Sequence, residues 1–544
     1  MGDMNRRDFF KVLGTTSAVG TLTACDPRTP VEHIYPYVVQ PEQVVPGAPT
    51  FFASTCGDCV AACGTVLRHR EGRVVFVAGN TESPVGQGGA CSVAISATQE
   101  TFNADHIGGP KKGGEDVSWD DALTALSAAI SGGSATWLGR YRTGALDRLL
   151  GDVAAASGMQ RVHWEAFGYE SLATASKLAF GIDGVPRYQV AGAQVILSFG
   201  ADWLNTWLAP VDHQAGYAAA RTHEQGGFVA EFVSIEPRVS HTGTKCDQWL
   251  KSNPGTEAGV AFALAKLVAE KKGSAMGAES LLSQVDAAAF ASAAGIDLAK
   301  LDVLATKLAE KSSIIFPGGV TTQGENSTHL ALASLVLNLV CGNFGTTVML
   351  GAHTNLGVVS SYADVVKLLE ACAAGSVQTL IIDELDPIFT LPAELKVADA
   401  LKAVPNLFIF TNGGGDTHPE NATLLPPGSW LEQWGDAEPV KGHYQIRQPG
   451  MAPQHNTMSQ GDVLLSVAKS ATLVHPSSAD TPEGEAVAST NTYALGDASA
   501  VPSFEAVDFY RYVAGHWAES LFTGDDFGAW WVEILQRGGF YSAP

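Results

Sequence analysis

The sequence predicts an α/β protein with two Rossmann-like domains, each built on a doubly wound parallel sheet. Short apolar segments of strand character alternate with amphipathic helical segments, as where AQVILSFG at 193–200 precedes QAGYAAART at 214–222. The alternation starts again after residue 310, with KSSIIFPGG at 311–319 and VQTLIIDE at 377–384. Strand–helix alternation is typical of parallel sheets with helices on both faces, whose ligands bind beyond the carboxyl ends of the strands.

The first 24 residues have the pattern of an export signal. Arg6 and Arg7 precede the apolar segment VLGTTSAVGTLTA at 12–24. A basic region followed by a short apolar region is typical of a twin-arginine signal, and the segment is shorter than the roughly 20 residues that cross a bilayer. A buried first helix is the alternative, which Gly14 and Gly20 disfavour. The pattern predicts export in a folded state to the periplasmic side of the cytoplasmic membrane.

The export signal ends in LTAC at 22–25, which resembles a lipoprotein processing box. This predicts lipidation of Cys25; cleavage without a lipid is the alternative. Residues 25–50 hold six prolines and little periodicity, which is typical of an extended linker. One lipid group alone holds a protein only marginally at a membrane, so we also expect a membrane-bound partner.

Four cysteines beyond the linker have the spacing C-x2-C-x3-C-x27-C: Cys56, Cys59, Cys63 and Cys91. Three thiolates on one loop can bind one face of a cubane, and a distant fourth thiolate completes the ligand set. Ligation by four cysteines is the standard way to hold a [4Fe–4S] cluster, and folded export suits a cofactor inserted in the cytoplasm. We therefore predict one such cluster. A structural zinc site and two disulfides are the alternatives for the same residues.

The segment between the third and fourth cysteines, TVLRHREGRVVFVAGN at 65–80, predicts a β-hairpin. Its strands are expected at 65–69 and 73–78 with the turn at 71–72, and the hairpin would return Cys91 to the other three cysteines. The remaining cysteines, Cys246, Cys341 and Cys372, occur singly in apolar or helical context and are predicted to be core residues.

Composition excludes two functional classes. The net charge of −23 and the lack of basic clusters that could neutralise phosphates exclude nucleic-acid binding. No segment after residue 25 has the apolar length of a membrane-spanning helix. The longest candidate, HLALASLVLNLVCG at 329–342, is predicted to be a buried helix.

Several segments resemble the molybdopterin oxidoreductase superfamily of the dimethyl-sulfoxide-reductase type. They are the cysteine spacing, SIEPRVSHTGTKCDQWLKSNPGTEAGVAFALA at 234–265 and LLPPGSWLEQWGDAEP at 424–439. A narrower resemblance, to the molybdoenzyme-like half of the B subunit of alternative complex III, rests on YPYVVQPEQVVPGAP at 35–49 and on WEAFGYESL at 164–172. It also rests on LEQWGDAEPVKGHYQIRQPGMAP at 431–453. That half has usually lost the cluster cysteines, whereas this chain retains all four.

The sequence patterns above give the limits of each part, and the resemblance adds an expectation about the C-terminus. Superfamily members usually end in a β-rich lid domain over the cofactor, and we expect this chain, which stops at GFYSAP, to lack it. The expected parts are a twin-arginine signal with a lipobox (1–24), an extended linker (25–50), a [4Fe–4S] domain (51–110), one Rossmann-like domain (111–132 with 313–470), a second Rossmann-like domain (133–312) and a C-terminal helical extension (471–544).

The resemblance also implies where molybdenum would bind in an active member. The metal ligand precedes an FGID-like segment by about a dozen residues, and FGID at 180–183 puts that position near Gly168. Neither Gly168 nor Tyr169 is a ligand of the required type, so we predict that the molybdenum–bis-pterin cofactor is absent. In a shifted register Glu165, Glu170 or Ser171 could serve instead.

Two further departures from the family pattern also indicate that the molybdenum–bis-pterin cofactor is absent. The turns that often read G-x-N in the family hold carboxylates here, in Gly200–Ala201–Asp202 and at 383–387. Carboxylates at these positions would repel the pyrophosphate of the cofactor. The alternative is that they are ordinary loop carboxylates that face the solvent. Ser92 follows Cys91 where active relatives often carry a basic residue between cluster and pterin.

We therefore predict an exported iron–sulfur subunit of a membrane quinone–acceptor oxidoreductase, non-catalytic itself, that acts as scaffold and electron relay. The resemblance implies a ferredoxin-like multi-cluster iron–sulfur subunit, a multihaem cytochrome c and polytopic quinol-binding membrane subunits as partners. Two other hypotheses stay open. One is a catalytic bis-pterin molybdoenzyme with its lid on another chain and Glu170 or Ser171 as the metal ligand, and the other is a structural subunit with zinc or disulfides.

Overall fold

The structure is a computed structural model that describes residues 45, 47–166, 169–413, 418–476 and 503–541. The chain divides into two units, residues 1–48 and 49–544, and the fold described below belongs to the second. The predicted signal, the lipidation of Cys25, nearly all of the linker and the position of Gly168 lie outside the described residues.

The strands are short and, in chain order, run as follows: β1 Thr50–Thr55, β2 Gly64–Arg70, β3 Arg73–Gly79, β4 Lys111–Lys112, β5 Glu115–Asp116, β6 Ala135–Gly139, β7 Gln160–His163, β8 Arg187–Tyr188, β9 Val195–Ser198, β10 Glu231–Glu236, β11 Gln248–Lys251, β12 Ser313–Phe316, β13 Val348–Met349, β14 Thr379–Asp383, β15 Asn406–Phe410, β16 Thr423–Leu425, β17 Gly435–Val440, β18 His443–Arg447 and β19 Gly539–Tyr541.

The α-helices, in the same order, are α1 Ser92–Glu100, α2 Trp119–Ser131, α3 Ala145–Ser157, α4 Glu170–Phe180, α5 Pro210–Arg221, α6 His223–Gly226, α7 Glu257–Lys272, α8 Glu279–Leu282, α9 Ala287–Ala294, α10 Leu298–Glu310, α11 Ser327–Cys341, α12 Tyr362–Ala373, α13 Pro387–Thr390, α14 Val397–Lys402, α15 Gln460–Ser470, α16 Phe509–Ser520 and α17 Phe527–Arg537.

The larger sheet has seven strands in the order β5-β4-β16-β15-β14-β6-β7. From β16 to β7 all neighbours are parallel. Every residue of β6 and β14 is buried, as a sheet covered on both faces requires. Alternate side chains enter different cores: Ile381 packs with helices α2, α3 and α15, whereas Leu380 and Ile382 pack with α12 and α14. The two-residue period of the strand thus divides its apolar side chains between the two helical layers.

The smaller parallel sheet has four strands in the order β11-β10-β9-β12. Val195 and Leu197 face a core formed with α7, α10 and α11, while Ile196 faces a second core that contains Trp203. Two doubly wound parallel sheets are therefore present, as the alternation of apolar segments predicted.

The strands are shared between the sheets differently from the predicted domain limits. β6 and β7 lie within 133–312 but belong to the seven-stranded sheet, and β12 lies within 313–470 but pairs with β9. Short apolar strands look alike in sequence, and only long-range packing decides which neighbour each one joins. The alternation of strand and helix segments therefore predicted the fold class but not the boundaries between the domains.

The N-terminal part, β1 to β3, forms an antiparallel sheet with the predicted hairpin. Its turn residues Glu71 and Gly72 have φ angles of +51° and +91°, which right-twisted hairpins with two-residue loops favour. The predicted buried helix at 329–342 is confirmed as α11. Within the described ranges, no helix has both the length and the apolar content to cross a membrane.

The C-terminal helices are part of the larger domain and not an appendage to it. Tyr512 and Trp517 of α16 and Trp531 of α17 are fully buried in the core that α2, α3 and α15 share, and β19 adds a strand to β17 and β18. The predicted helical extension is thus integral to the seven-stranded-sheet domain.

We expect Gly461→Ala, in α15, to destabilise this domain because α15 and α16 meet there. A Cβ atom at residue 461 would lie 2.1 Å from Cγ of Phe509, and overpacking of this kind costs about 1–3 kcal/mol. The matched control is Gly528→Ala in α17, whose Cβ would have its nearest neighbour at 3.4 Å. Thermal unfolding followed by circular dichroism should show a lower midpoint for Gly461→Ala and an unchanged or higher one for the control. Equal midpoints would mean that α16 does not pack on α15 as described.

Candidate functional site

A cavity of about 450 Å³ lies at the carboxyl edge of the seven-stranded sheet. Its walls come from the residues that follow four parallel strands: 140–143 after β6, 384–386 after β14, 411–413 after β15 and 428–430 after β16. Ligands of doubly wound sheets bind at this edge, where the strand order reverses. Here the reversal lies between β6 and β14, because β7 flanks β6 on one side and β14 flanks it on the other.

Ion pairs fill the point of reversal. Nε of Arg142, just after β6, is 3.2 Å from Oδ2 of Asp383, and Nη2 of Arg142 is 2.5 Å from Oε2 of Glu384. Gln460 donates to the other Asp383 oxygen at 3.1 Å. Glu384 has a φ of +49°, a left-handed conformation that a residue with a side chain adopts at a cost. Glu384, which has this left-handed backbone conformation, is thus also a partner of Arg142.

The two carboxyl groups respond differently to this environment. Burial alone would raise the pKa of Glu384, but Arg142 and Arg140 outweigh it, and the net pKa is lowered. Burial raises the pKa of Asp383, and Arg142 offsets the rise only in part. The guanidinium of Arg142 is therefore paired within the protein at this edge.

The opposite wall of the cavity is the cysteine loop, which contributes Cys56, Gly57, Asp58 and Cys59. The Cys56 amide donates to the carbonyl of Cys63 at 2.9 Å, and the Ala62 amide donates to that of Cys59 at 3.2 Å. Ala62 has a φ of +41°, so a residue with a Cβ is held in the left-handed region within the loop. These contacts fold the first three cysteines into one tight turn.

The fourth cysteine, Cys91, lies immediately before α1 and reaches the same loop. Cys91 packs with Cys63 in one small apolar cluster and with Cys56 in another. Burial raises the pKa of the Cys63 thiol, and the charges of Cys59 and Cys91 raise it further. The structure thus brings the four predicted cysteines together.

The four cysteines do not form a mononuclear metal site in the described structure. Across the described parts of the chain, no three Cys, His, Asp or Glu side chains converge closely enough to hold one metal ion. The seven described cysteines are free thiols. In a cubane each thiolate binds a different iron, so a cluster needs its four donors gathered around a volume and not on one point. Four cysteines on and beside one loop are the donor type that such a cluster takes.

A polar network joins the cysteine loop to the sheet edge. The Asp58 carboxylate accepts from the Cys56 thiol at 3.2 Å and from Nε1 of Trp430 at 3.1 Å. Arg140 donates to the Asp58 carbonyl, and its other Nη atom is 4.0 Å from Glu384. Burial raises the pKa of Asp58. Arg140 therefore spans the cavity from the loop to the carboxylates that follow β14.

Arg447 brings a second guanidinium against the loop. Its Nε donates to the Thr55 carbonyl at 3.1 Å, and a Cβ at residue 57 would lie 3.1 Å from its Cζ and 2.9 Å from Cβ of Trp430. Gly57 is therefore required by the close approach of Arg447 and Trp430. Burial lowers the pKa of Arg447.

The four-stranded sheet has its own cavity, of about 300 Å³, at the equivalent edge. Asp202, predicted to stand at this strand end, is buried and accepts from the Thr242 amide at 2.9 Å and from its hydroxyl at 2.5 Å. Its pKa is lowered because these hydrogen bonds outweigh burial. Thr321 and Thr322, after β12, donate to carbonyls of residues 200 and 199 after β9. The Asp202 carboxylate is thus used inside the protein, and the alternative of a solvent-facing carboxylate does not apply.

The residues considered as replacement metal ligands do not share one site. Oε1 of Glu165 accepts from the Tyr141 amide at 3.0 Å, and Oε2 of Glu170 accepts from the Tyr362 amide at 3.1 Å. Ser171 lines the smaller cavity. Ser92 is exposed. Two of the three candidates are therefore engaged in backbone hydrogen bonds of the fold.

Sequence reasoning missed Arg140, Arg142, Asp58, Trp430 and Arg447. The first two had a readable signal, because GRYR directly follows the strand segment ATWL and the carboxyl ends of strands form the binding edge. Trp430 and Arg447 lie more than 350 positions from the cysteine loop, and nothing local in the sequence connects them to it.

Comparisons with known proteins agree with this architecture. The model of the molybdopterin oxidoreductase family matches residues 111–470. The chain is 26% identical over 454 residues to the menaquinone reductase molybdopterin-binding-like subunit of Nitratidesulfovibrio vulgaris, covering 78% of this chain and 65% of that protein. It is 25% identical over 301 residues to the dopamine dehydroxylase of Eggerthella lenta, covering 49% of this chain and 27% of that enzyme.

A solved structure shares the fold. Acetylene hydratase from Pelobacter acetylenicus superposes with a TM-score of 0.62 at 13% identity, over 78% of this chain and 69% of that one. At this identity the likeness concerns the fold alone. The predicted superfamily resemblance is confirmed by the family match.

We expect Arg142→Met to destabilise the protein in a pH-dependent way. Removing one partner of a buried ion pair costs about 3–5 kcal/mol. Without the guanidinium, the pKa of the buried Asp383 carboxyl rises further above its value in the unfolded chain, because Arg142 no longer offsets burial. The loss is therefore small near pH 4, where Asp383 is largely protonated, and grows as the pH rises toward about 8.

The thermal midpoint, measured against pH, tests this expectation. Arg238→Met is the control, because Arg238 is exposed and its removal should shift the midpoint little at any pH. A loss for Arg142→Met that is the same at both ends of the pH range would contradict the buried ion pairs.

Proposed function

Because the chain belongs to the molybdopterin oxidoreductase family, we propose that it is an iron–sulfur subunit of a quinone-linked oxidoreductase complex. The subunit itself no longer binds a molybdenum–pterin cofactor. It holds one [4Fe–4S] cluster on Cys56, Cys59, Cys63 and Cys91 and serves as scaffold and electron relay. The observation that carries the proposal is the gathering of these four thiols beside a cleft whose point of strand reversal contains internal ion pairs.

The proposal of a [4Fe–4S] cluster is supported by the four cysteine ligands and by the residues around them. A [4Fe–4S] cluster, when bound, supplies one-electron transfer at a potential set by burial and by hydrogen bonds to sulfur. Cys56 and Cys63 are buried, while Cys59 is exposed. Arg447 donates to the residue before Cys56. The loop therefore combines an apolar interior, a nearby cation and one open side, which suits a centre that exchanges electrons with a neighbour.

Loss of the molybdenum–pterin cofactor is supported by the chemistry of the cleft. The dinucleotide of such a cofactor carries a pyrophosphate, which needs unpaired cations or amide groups. At the larger sheet Arg142 is already paired with Asp383 and Glu384. At the smaller sheet Asp202 occupies the loop after β9. These residues do not fit a dinucleotide pyrophosphate at either edge.

Family membership itself favours a second candidate, a catalytic bis-pterin subunit. The family suggests a molybdenum–pterin cofactor, and the relative from Nitratidesulfovibrio vulgaris is described as molybdopterin-binding-like. This candidate requires a metal ligand near Gly168, where Glu170 or Ser171 would have to serve. Glu170 is the weaker of the two, since its carboxylate accepts from the Tyr362 amide.

The partners and location follow from the same relationship. The relative from Nitratidesulfovibrio vulgaris is a subunit of a menaquinone reductase, which favours membrane and electron-transfer partners for this chain. We include in the proposal the ferredoxin-like subunit, the multihaem cytochrome c and the quinol-binding membrane subunits. Export by the twin-arginine signal and lipidation of Cys25 would hold the protein on the periplasmic side of the cytoplasmic membrane.

Iron analysis of the purified protein tests the cluster. We expect about four irons per chain and an electron paramagnetic resonance signal on reduction. Cys59→Ser should lose the signal and most of the iron, whereas Cys246→Ser, which alters a cysteine outside the loop, should keep both. Stoichiometric zinc with no iron would contradict the proposal in favour of a structural zinc site.

Molybdenum and pterin content separates the two candidate functions. We expect molybdenum far below one atom per chain in protein purified from cells that load other molybdoenzymes. Oxidised, denatured protein should release no pterin fluorescence, and a molybdoenzyme isolated from the same cells is the positive control. Near-stoichiometric molybdenum would establish the catalytic candidate instead.

A further inference from the structure

The outer face of the N-terminal sheet carries exposed aromatic and basic side chains. Phe51 of β1 lies directly opposite Arg68 of β2, and Arg68 lies directly opposite Phe76 of β3. Directly opposed residues share one face of a sheet. Phe51 is 62% exposed and Phe76 is 45% exposed, and Arg68 is exposed between them. The inner face is different, since Leu67, Val74 and Val77 are buried there with α1.

Two more arginines extend this face toward the hairpin turn. Arg70 lies two residues beyond Arg68 and directly opposite Arg73, and both are exposed. Arg70 makes one long contact, 3.9 Å from Nε to Oε1 of Glu71, which is a weak surface pair. Three guanidinium groups thus lie on one hairpin of a chain whose net charge is −23, and the expectation that the sequence holds no basic cluster is wrong for this hairpin.

This combination matches the chemistry of an anionic lipid surface. Guanidinium groups bind phosphate in a bidentate manner. Each basic residue near an anionic leaflet increases the binding constant by a factor of roughly ten or less. Aromatic rings insert at the level of the headgroups. The strongly acidic remainder of the protein is repelled by the same surface, which favours an approach through the basic face and a defined orientation of the N-terminal sheet.

In the sequence, the predicted linker ends where the first strand of this sheet begins. β1 begins at Thr50, and 24 residues separate it from Cys25. Extended, that segment reaches roughly 80 Å, so a lipid on Cys25 would tether the domain without orienting it. A single lipid chain also binds marginally, and stable attachment takes a second signal such as a basic patch.

We propose that the face formed by Phe51, Phe76, Arg68, Arg70 and Arg73 binds the headgroup region of an anionic phospholipid membrane and sets the orientation of the N-terminal domain on it. This goes beyond the proposed function and does not depend on the cluster. An acidic protein surface is the competing occupant, and the test separates the two.

Partition of the intact purified protein between solution and vesicles provides the test. Vesicles of phosphatidylcholine alone are compared with vesicles that contain phosphatidylglycerol, at low ionic strength. We expect the protein to prefer the anionic vesicles by about a hundredfold, as three basic residues predict. The preference should fall steeply as salt is added. Any lipid on Cys25 contributes equally to both vesicles and cancels from the ratio.

The variant Arg68→Glu/Arg70→Glu/Arg73→Glu should lose the preference. The control Lys300→Glu/Lys311→Glu/Lys402→Glu makes the same change of net charge at exposed lysines of other helices and loops and should keep it. Phe51→Ala/Phe76→Ala should weaken binding several-fold while leaving the salt dependence in place. Circular dichroism and iron content, measured on the same samples, show whether each variant folds and report the fate of the cluster proposal separately.

The proposal would be overturned if the parent protein bound both kinds of vesicle equally, or if the lysine control lost the preference for anionic vesicles to the same extent. It would also be overturned by an arginine variant that keeps its lipid preference but no longer co-purifies with a partner subunit. The last result would assign the face to an acidic protein partner.

Discussion

The contact of Arg142 with the buried carboxylate of Asp383 and the partly buried carboxylate of Glu384 is the constraint on which the arrangement of the site depends. It joins the residues that follow β6 to those at the end of β14, the two strands between which the sheet reverses its winding. Buried charges are stable in a protein only when paired. Each partner therefore holds the others in place, and the cleft that a doubly wound sheet offers to a ligand is bridged from within the chain.

The cysteine loop is tied to the same bridge. Arg140 contacts the Asp58 carbonyl at one end and approaches Glu384 at the other, while Arg447 contacts the loop just ahead of Cys56. A polar network with all its members engaged makes the loop rigid and specifies one arrangement. The structure thus places the four predicted cysteines next to a cleft in which Arg142 pairs with Asp383 and Glu384.

Local features of the chain could be read from the sequence because each depends on a few neighbouring residues. The hairpin at β2 and β3 follows from alternating apolar residues around a turn at Glu71 and Gly72, and the cysteine turn follows from its spacing. The parallel fold class follows from repeated apolar strands. The assignment of β12 to the smaller sheet could not be read, because its side chains would fit either sheet and its pairing with β9 is a contact between residues more than 100 positions apart.

The same limit explains what was missed at the site. The carboxylates after β14 were identified, but their effect was judged as if they faced an open cleft. Their true partner, Arg142, lies on a different strand end, so the sequence could show the negative charges and not their neutralisation. The C-terminal helices α16 and α17 were likewise readable as helices, but their burial against α15 depends on packing that no local pattern encodes.

We propose that iron remains at the cysteine loop while the neighbouring cleft no longer holds molybdenum. Anomalous diffraction from crystals of the exported protein, recorded at the iron edge and again at the molybdenum edge, tests it most directly. We expect a strong iron peak among Cys56, Cys59, Cys63 and Cys91, and no molybdenum peak between the two parallel sheets. A molybdenum peak in that cleft, or a cysteine loop without iron, would contradict it.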